Sequence, residues 1–317
     1  MDPLTLILLS GLAFAFVQAR TVDSHRCVAI TFDDLPDGTA RDINSIRRNT
    51  AEILRALRRH RAPAIGFVNE INVRVPGETD ERVGLLRQWL GSGMTLGNHG
   101  FSHLRFFDTP LAKYQQDVIK GELITRALMK ERGSDRLYFR HPYTSTGPTR
   151  EAKAAFEKFL GERGYRIAPF TIGNSDFIFN DLYLEARRNK DAVMMRRLRE
   201  CYLQNTDRQF EFFERRAAEM FGRQISQTLL IHANDINADC LDEMLNRLVA
   251  RGYRFVTLDG ALDDEAYRTR DDYVGPAGPS WLHRWTLSLG MKWERDREPG
   301  LPDWVWEAFK NLKARTM

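Results

Sequence analysis

The sequence contains little cysteine, with three residues (Cys27, Cys201 and Cys240) in a chain of 317. An odd number leaves at least one cysteine without an intramolecular partner, and no Cys-x-x-Cys pair is present to suggest a cysteine metal site. A disulfide between Cys201 and Cys240 is compatible with an oxidising compartment, but nothing in the sequence requires it. Because 43% of the residues are hydrophobic, the chain can bury a large single core.

Long blocks of one charge are also absent. The 47 Lys and Arg residues are nearly balanced by 43 Asp and Glu residues, which gives a formal net charge of +4. The two signs are mixed along the chain, as is typical of a solvated protein surface. This pattern argues against a nucleic-acid-binding protein.

The apolar run at the N-terminus, Leu4 to Val17, is shorter than the roughly 20 residues that a transmembrane helix needs. Its length and a small-x-small site at Val17-Gln18-Ala19 predict a signal peptide over residues 1–19. The segment carries Asp2 and no basic residue before the apolar run, so an uncleaved anchor is the alternative. We expect an exported protein, periplasmic or extracellular, without a stable membrane span once the signal is removed.

Short apolar runs rich in β-branched and aromatic residues alternate with longer amphipathic stretches, such as Ile43–His60 and Pro110–Glu131. This alternation predicts parallel strands joined by right-handed helical crossovers. The chain is therefore expected to form an α/β fold of the TIM-like barrel type. The predicted strands are Val28–Phe32, Ala64–Val68, Met94–Asn98, Leu137–Arg140, Ile167–Ile172, Thr228–His232 and Arg254–Leu258.

Two segments depart from the alternation. Residues 177–227 have mostly helical character and predict a helical insertion outside the barrel, with a lid or substrate contact as the alternative. Residues 263–317 contain five of the six tryptophans and predict a C-terminal extension packed on the barrel, with sugar stacking as an alternative for some of them. The barrel itself is expected to occupy residues 20–262.

Polar residues follow five of the seven predicted strands. Because parallel α/β barrels place their active sites at the carboxyl ends of the strands, these residues are candidates for one site. They lie in the segments Thr31–Asp34, Asn98–His103, Arg140–Tyr143, Gly173–Phe177 and Leu230–His232.

A divalent metal site is the chemistry that these residues favour. His99 and His103 are four residues apart, so they would share one face of a helical turn. Two imidazoles and one carboxylate leave an open coordination position, as catalytic zinc sites require. In the Asp33-Asp34 pair, one residue can bind the metal while the other acts as a base.

The five segments resemble the motifs of the polysaccharide deacetylases, the NodB homology domain of carbohydrate esterase family 4. The resemblance covers roughly residues 27–260. Its motifs are T-F-D-D, H-S/T-x-x-H, R-x-P-Y, D-x-x-D-W and L-x-H, in the same order as in this chain. The resemblance implies a distorted (β/α)7 barrel, in agreement with the strand pattern.

The resemblance also implies roles for the matching residues. Asp34, His99 and His103 would hold the metal, zinc by preference, with cobalt or nickel as alternatives. Asp33 would be the general base that activates the attacking water, and His232 the general acid that protonates the departing amine.

The remaining motif residues would orient the catalytic groups or bind the substrate. Arg140 and Asp176 would orient the base and the acid, and the sequence leaves open whether Asp176 pairs with His232 or with Arg140. Tyr143 would supply a backbone N–H to the oxyanion. Leu230 would line the pocket for the acetyl methyl group.

The chain departs from the family pattern at three positions. Gly100 replaces the Ser or Thr that supports the metal loop, and Asn98 or Ser102 is expected to substitute for it. Gly173 replaces the first Asp of the fourth motif. Phe177 replaces its Trp, which keeps an apolar wall for the substrate but removes the indole N–H donor.

The function expected from these residues is that of a secreted metal-dependent hydrolase acting on non-peptide C–N bonds. Its substrate would be an acetylated glycan. The enzyme would remove N-acetyl groups, with removal of O-acetyl groups as the alternative. Two other hypotheses are a metal-independent hydrolase of a small non-sugar amide and a catalytically silent carbohydrate-binding envelope protein. The intact metal motif argues against the first, and the presence of Asp33 and His232 argues against the second.

Four other histidines have less specific expectations. His25, His60 and His283 are interpreted as surface or packing residues. His141 lies inside the third motif, where it could either pack or approach the site.

Overall fold

The computed structural model describes residues 26–38, 42–276, 278–292 and 297–316. The predicted signal peptide, His25 and Trp293 lie outside these residues. No helix in the described part of the chain is both long and apolar enough to cross a membrane. Cys27, Cys201 and Cys240 are all free thiols.

In the part of the chain that the structure describes, the sheet has eight parallel strands. They are β1 (Arg26–Leu35), β2 (Ala64–Val68), β3 (Thr95–Asn98), β4 (Leu137–Phe139), β5 (Tyr165–Ile167), β6 (Ile172–Gly173), β7 (Gln227–His232) and β8 (Tyr253–Phe255). The strand order is β5-β4-β3-β2-β1-β7-β6, and β8 pairs with the start of β1. Helices connect the strands, so the predicted α/β barrel of the distorted (β/α)7 type is confirmed.

The predicted strand Ile167–Ile172 is wrong as a single element. Residues before Pro169 pair with β4, where the Ala168 N–H donates to Phe139 O (2.9 Å). The Thr171 N–H donates instead to Thr228 O of β7 (3.0 Å). Proline has no N–H and interrupts a strand ladder. The chain therefore crosses from one edge of the curled sheet to the other at this point, which is where the barrel is distorted.

The predicted strand Arg254–Leu258 is also too long. β8 ends at Phe255, and the Thr257 side chain caps a short helix that begins at Leu258 by accepting the Gly260 N–H (3.1 Å). A threonine whose side-chain oxygen accepts from the third following N–H favours a helix start over a continuing strand.

Eleven α-helices accompany the sheet within the described residues. They are α1 (Ile43–Arg59), α2 (Thr79–Gly91), α3 (Leu111–Lys120), α4 (Leu123–Glu131), α5 (Arg150–Glu162), α6 (Asp176–Arg188), α7 (Ala192–Phe221), α8 (Asp235–Ala250), α9 (Leu258–Leu262), α10 (Trp281–Ser288) and α11 (Asp303–Thr316). The stretch predicted as Ile43–His60 forms α1, whose N-terminus is capped by Asp42.

The stretch Pro110–Glu131 forms two helices instead of one. The break falls at Gly121, where an added Cβ would lie 2.5 Å from the carbonyl carbon of Gly100. Only a residue without a side chain allows the end of α3 to approach the backbone of the His99–His103 loop this closely. The break therefore fixes the position of a candidate metal-binding loop.

The segment 177–227 folds into α6 and the 30-residue helix α7, which pack on each other and on α8. In the C-terminal segment, the Trp281 ring packs edge-on against Phe170 (5.7 Å between centroids) and Trp285 is buried, whereas Trp306 is exposed. Helix α11 contacts α6. Aromatic burial thus holds part of the C-terminal segment against the open edge of the sheet.

Candidate active site

A cleft of about 950 Å³ opens at the carboxyl ends of the strands. Its lining includes most of the residues that the motifs predict: Asp33, Asp34, His99, His103, Tyr143, Asp176, Phe177, Leu230 and His232. Arg140 lies behind Asp33 and is completely buried. The structure therefore brings the five sequence segments together around one cavity.

Asp34, His99 and His103 form a compact cluster of potential metal ligands. Asp34 Oδ1 lies 3.5 Å from His99 Nε2 and 3.4 Å from His103 Nε2, and one ligand atom from each residue falls within 4.8 Å of the others. The two histidines do not share a helical turn, so that part of the prediction is wrong. A loop with positive φ at Gly100 (+74°) and His103 (+55°) brings them together instead.

The protonation of this cluster suits a cation. His99 Nδ1 donates to Arg140 O (2.7 Å), which directs Nε2 toward Asp34 as a free acceptor. Burial lowers the pKa of His99 well below its usual range and also lowers that of His103, so both rings are neutral. Asp34 Oδ1 is buried and accepts no hydrogen bond from the described residues. The donor set therefore fits a divalent metal ion.

Asn98 and Asp117 support the metal loop. Asn98 Oδ1 accepts the Gly100 N–H (2.7 Å), so the Asn98 side chain holds the loop at Gly100. The Asp117 carboxylate accepts the Phe101 N–H (2.8 Å) and the Ser102 N–H (3.1 Å). Ser102 thus contributes its backbone rather than its side chain.

The role of Asp117 was not predicted from the sequence. It lies on α3 next to Tyr114 and Val118, both of which are buried. An acidic residue on the apolar face of a helix is the signal that could have identified it, because buried carboxylates need partners.

Asp33 and Arg140 form a buried ion pair beside the cluster. Asp33 is 2% exposed, and its Oδ1 lies 3.8 Å from Arg140 Nη1. Burial raises the pKa of Asp33 to about 6, although the charges of Arg140 and His232 oppose that rise. Arg140 Nη2 donates to Thr31 Oγ1 (2.9 Å), and its guanidinium lies 4.8 Å above the Phe67 ring. These contacts fix the guanidinium behind the Asp33 carboxylate.

Asp176 pairs with His232 and not with Arg140. Asp176 Oδ1 lies 2.8 Å from His232 Nδ1, and Oδ2 accepts the His232 backbone N–H (2.8 Å) and the side chains of Asn234 (2.9 Å) and Asn237 (2.6 Å). Burial of the His232 ring disfavours its charge, but the Asp176 carboxylate outweighs burial and raises the pKa of His232 to about 10. His232 is therefore held as an imidazolium in the cleft.

The remaining predicted residues border the opening. Tyr143 has φ 53° and is 51% exposed, and its ring lies 4.5 Å from the His103 ring. Leu230 is half-buried in the cleft wall. Phe177 is 52% exposed, and its ring lies 6.3 Å from that of His232.

The cleft has a further wall that the motifs do not include. Gln209 and Phe213 of α7 line it, so the helical insertion reaches the cavity. Residues of the C-terminal segment, among them Gly278 and Leu301, line it as well. No motif marks these residues, because they come from elements outside the repeating strand–helix pattern.

The other histidines pack away from the cleft. His141 is buried against the rings of Phe139 (5.1 Å) and Phe156 (5.3 Å), so it does not approach the site. His60 lies 3.1 Å from Asp242, and His283 packs against Phe213.

Comparison with known proteins shows similarity in sequence and in fold. Residues 20–164 match the family model described as polysaccharide deacetylase. A peptidoglycan-N-acetylglucosamine deacetylase from Bacillus cereus is 30% identical over 142 residues, which cover 44% of this chain and 58% of that protein. The chain thus spans little more than half the length of this curated relative.

Solved structures share the fold at lower identity. A substrate complex of T48 deacetylase has a TM-score of 0.50 and 19% identity, covering 75% of this chain and 92% of that chain. A CE4 family pseudoenzyme from Bacillus anthracis has a TM-score of 0.50 and 14% identity, covering 75% and 66%. The chain is therefore similar to polysaccharide deacetylases over residues 20–164, and it shares the fold of solved CE4 family structures.

Proposed function

We propose that this protein is a metal-dependent deacetylase that hydrolyses the acetyl groups of an N-acetylated glycan. The observation that carries the proposal is that three potential metal ligands line one cleft together with a buried carboxylate and a carboxylate-paired imidazole. Asp33 Oδ2 lies 3.8 Å from His99 Nε2, and the Asp176–His232 pair lines the same cleft.

Asp34, His99 and His103 would hold the metal ion. Two nitrogen ligands and one oxygen ligand with an open position suit zinc, and cobalt or nickel would fit the same donors. Such an ion supplies Lewis-acid polarisation of the acetyl carbonyl and lowers the pKa of water.

Asp33 acts as the general base. Its carboxylate borders the ligand cluster, and its raised pKa brings its basicity closer to neutral pH, where a general base is most effective. Arg140 holds the carboxylate in place and compensates its charge inside the protein. Asp33 thus takes a proton from the water that attacks the acetyl carbon.

His232 acts as the general acid. Asp176 binds its Nδ1, so Nε2 carries the proton that can be given to the departing amine nitrogen. The backbone N–H of Tyr143 stabilises the negative charge that develops on the acetyl oxygen. Leu230 and Phe177 supply apolar surface for the acetyl methyl group and the sugar ring.

The proposed substrate is the N-acetylglucosamine of peptidoglycan, because the similar protein from Bacillus cereus carries that activity in its name. Export through residues 1–19 would place the enzyme in the compartment of the cell wall. Other N-acetylated glycans and O-acetylated sugars offer the same bond type to the same groups.

A catalytically silent role is less well supported. A pseudoenzyme shares the fold, so the fold alone does not imply activity. In this chain, however, the proposed base, acid and metal ligands are all present and converge on one cavity. The same ligand cluster argues against a metal-independent hydrolase.

The test is acetate release from a panel of glycans by the protein purified from residue 20 onward. The panel contains peptidoglycan, chitin oligomers and acetylated xylan, and the enzyme is assayed after chelation and again after addition of zinc. We expect zinc to restore release, and Asp33→Asn to reduce it by about 10²–10⁴-fold, the contribution of a general base. Glu52→Gln, at a half-buried position on α1 outside the cleft lining, serves as the matched control. Absence of release from every glycan by the zinc-loaded protein would refute the proposal.

A further inference from the structure

The segment Tyr143–Thr144 has a backbone conformation that few side chains adopt. Tyr143 has φ 53° and ψ 14°, and Thr144 has φ 49°. A positive φ is a genuine outlier for a β-branched residue such as threonine. Two consecutive residues in this conformation persist only where the surrounding structure holds them. The turn makes two hydrogen bonds of its own, from the Thr144 N–H to His141 O (2.9 Å) and from the Ser145 N–H to Pro142 O (3.1 Å). Further contacts come from the C-terminal segment of the chain.

Arg284 makes the most extensive of these contacts. It lies on α10 and is 0% exposed. Its Nη2 donates to Thr144 O (2.6 Å), and its Nη1 donates to Thr146 Oγ1 (3.2 Å). Asp271 lies 3.4 Å from Nη1, and the guanidinium lies 3.8 Å above the Trp281 ring. The ion pair and the aromatic ring keep the guanidinium oriented toward the third motif.

Gly278 makes the second contact. Thr144 Oγ1 donates to Gly278 O (2.7 Å). A Cβ added at Gly278 would lie 1.6 Å from Thr144 Oγ1 and 2.3 Å from Tyr143 O. The C-terminal segment therefore lies directly on the Tyr143–Thr144 backbone, and only glycine fits at this point.

We propose that Arg284 is a positioning residue for the deacetylation reaction. By holding the Thr144 carbonyl, it fixes the backbone turn that carries the Tyr143 N–H at the edge of the cleft. Arg284 is not among the residues that line the cleft, so it acts through Thr144 and not by touching the substrate. The inference rests on the proposed function, because it assigns the Tyr143 N–H to the oxyanion. The inference also makes Asp271, Gly278 and Arg284 part of the structure that supports the active site.

This role predicts a specific kinetic signature. The oxyanion forms only in the transition state, so a misplaced N–H lowers kcat and leaves substrate binding nearly unchanged. Loss of one oxyanion-hole donor lowers kcat by about 10²–10³-fold, which sets the upper limit for the effect. The metal ligands belong to other segments, so zinc affinity should be retained.

The experiment compares Arg284→Met with Arg216→Met in the full zinc-loaded protein. Arg216 is also buried and also holds α10, through Thr286 Oγ1 (3.2 Å), but it makes no hydrogen bond to residues 143–146 in the described chain. We expect Arg284→Met to lower kcat at least about tenfold with an unchanged KM. Arg216→Met should leave both parameters near the wild-type values. Zinc titration and thermal melting accompany the kinetics.

Several results would overturn the inference. Equal losses in the two variants would show a general effect of removing a buried arginine, and a raised KM with an unchanged kcat would show a role in binding. If Arg284→Met does not fold, Gly278→Ala displaces the same segment, and an unchanged kcat in that variant would overturn the inference.

A wild-type protein without deacetylase activity would refute the proposed function but not the positioning itself. Amide hydrogen exchange of residues 143–146 then tests whether Arg284 holds this segment. Faster exchange in Arg284→Met than in Arg216→Met would show that the Arg284–Thr144 hydrogen bond holds this segment. Equal exchange would contradict it.

Discussion

The two sides of the cleft differ in how completely their polar groups are paired. On the His232 side, Asp176 accepts hydrogen bonds at both oxygens from His232, Asn234 and Asn237. On the metal side, Oδ1 of Asp33 and of Asp34 and two nitrogens of Arg140 are buried without a hydrogen-bond partner in the described chain.

An unpaired buried polar group costs about 1–3 kcal/mol of stability. The His232 side is therefore complete before a ligand binds, and it is preorganised for proton transfer. On the metal side, the carboxylate oxygen of Asp34 would gain a partner if a cation bound as proposed. The comparison predicts that loss of a metal ligand weakens metal binding, whereas substitutions in the Asp176–His232 pair change proton transfer and leave metal binding unchanged.

The largest expected effect separates two adjacent carboxylates. Asp34→Asn removes a metal ligand and should weaken zinc binding by more than the roughly 10–100-fold that loss of an outer partner costs. Asp33→Asn, one residue earlier, should retain zinc because its carboxylate is paired with Arg140 and lies outside the ligand cluster. Calorimetric zinc titration of both variants measures the difference. Equal affinities would show that the two residues do not divide their roles as proposed.

The next effect concerns the pH dependence of the His232 side. Asp176 is the main cause that raises the pKa of His232 to about 10. In the proposed mechanism His232 acts in its protonated form, so activity should fall as the pH rises through this pKa. Asp176→Asn removes the raising interaction and should shift the alkaline limb of the kcat profile to lower pH, with zinc affinity unchanged.

The pH–rate profile of the variant, measured alongside the wild type, checks this prediction. An alkaline limb that does not move would mean that another group sets it. Loss of zinc in the same variant would contradict the division between the two sides.

The smallest effect concerns the support of the metal loop. Asp117→Asn weakens the acceptor for the Phe101 and Ser102 N–H groups, and we expect zinc affinity to fall by up to about 10–100-fold. The exposed neighbour Gln116→Ala is the matched control on α3. Zinc competition with a chromogenic chelator measures the change, and equal affinities in the two variants would show that the loop does not depend on Asp117.

The candidate site could be anticipated where a few adjacent residues carry the signal. Asp33-Asp34 directly follow a buried apolar run, and His99 and His103 follow another, so their position at one end of a parallel sheet follows from chain order. The predicted boundaries of the strands were less accurate. The stretch Ile167–Ile172 has the composition of one strand, but Pro169 and pairing with two different neighbours divide it.

The sequence by itself determined the fold class and the types of residue at the strand ends, because both depend on local patterns of a few residues. Tertiary structure alone decided that Asp176 pairs with His232, that Asp117 supports the metal loop and that Arg284 reaches Thr144. These contacts join residues 16 to 140 positions apart. A buried charged group selects its partner by distance and direction in the folded chain, and neither is encoded by spacing along the sequence.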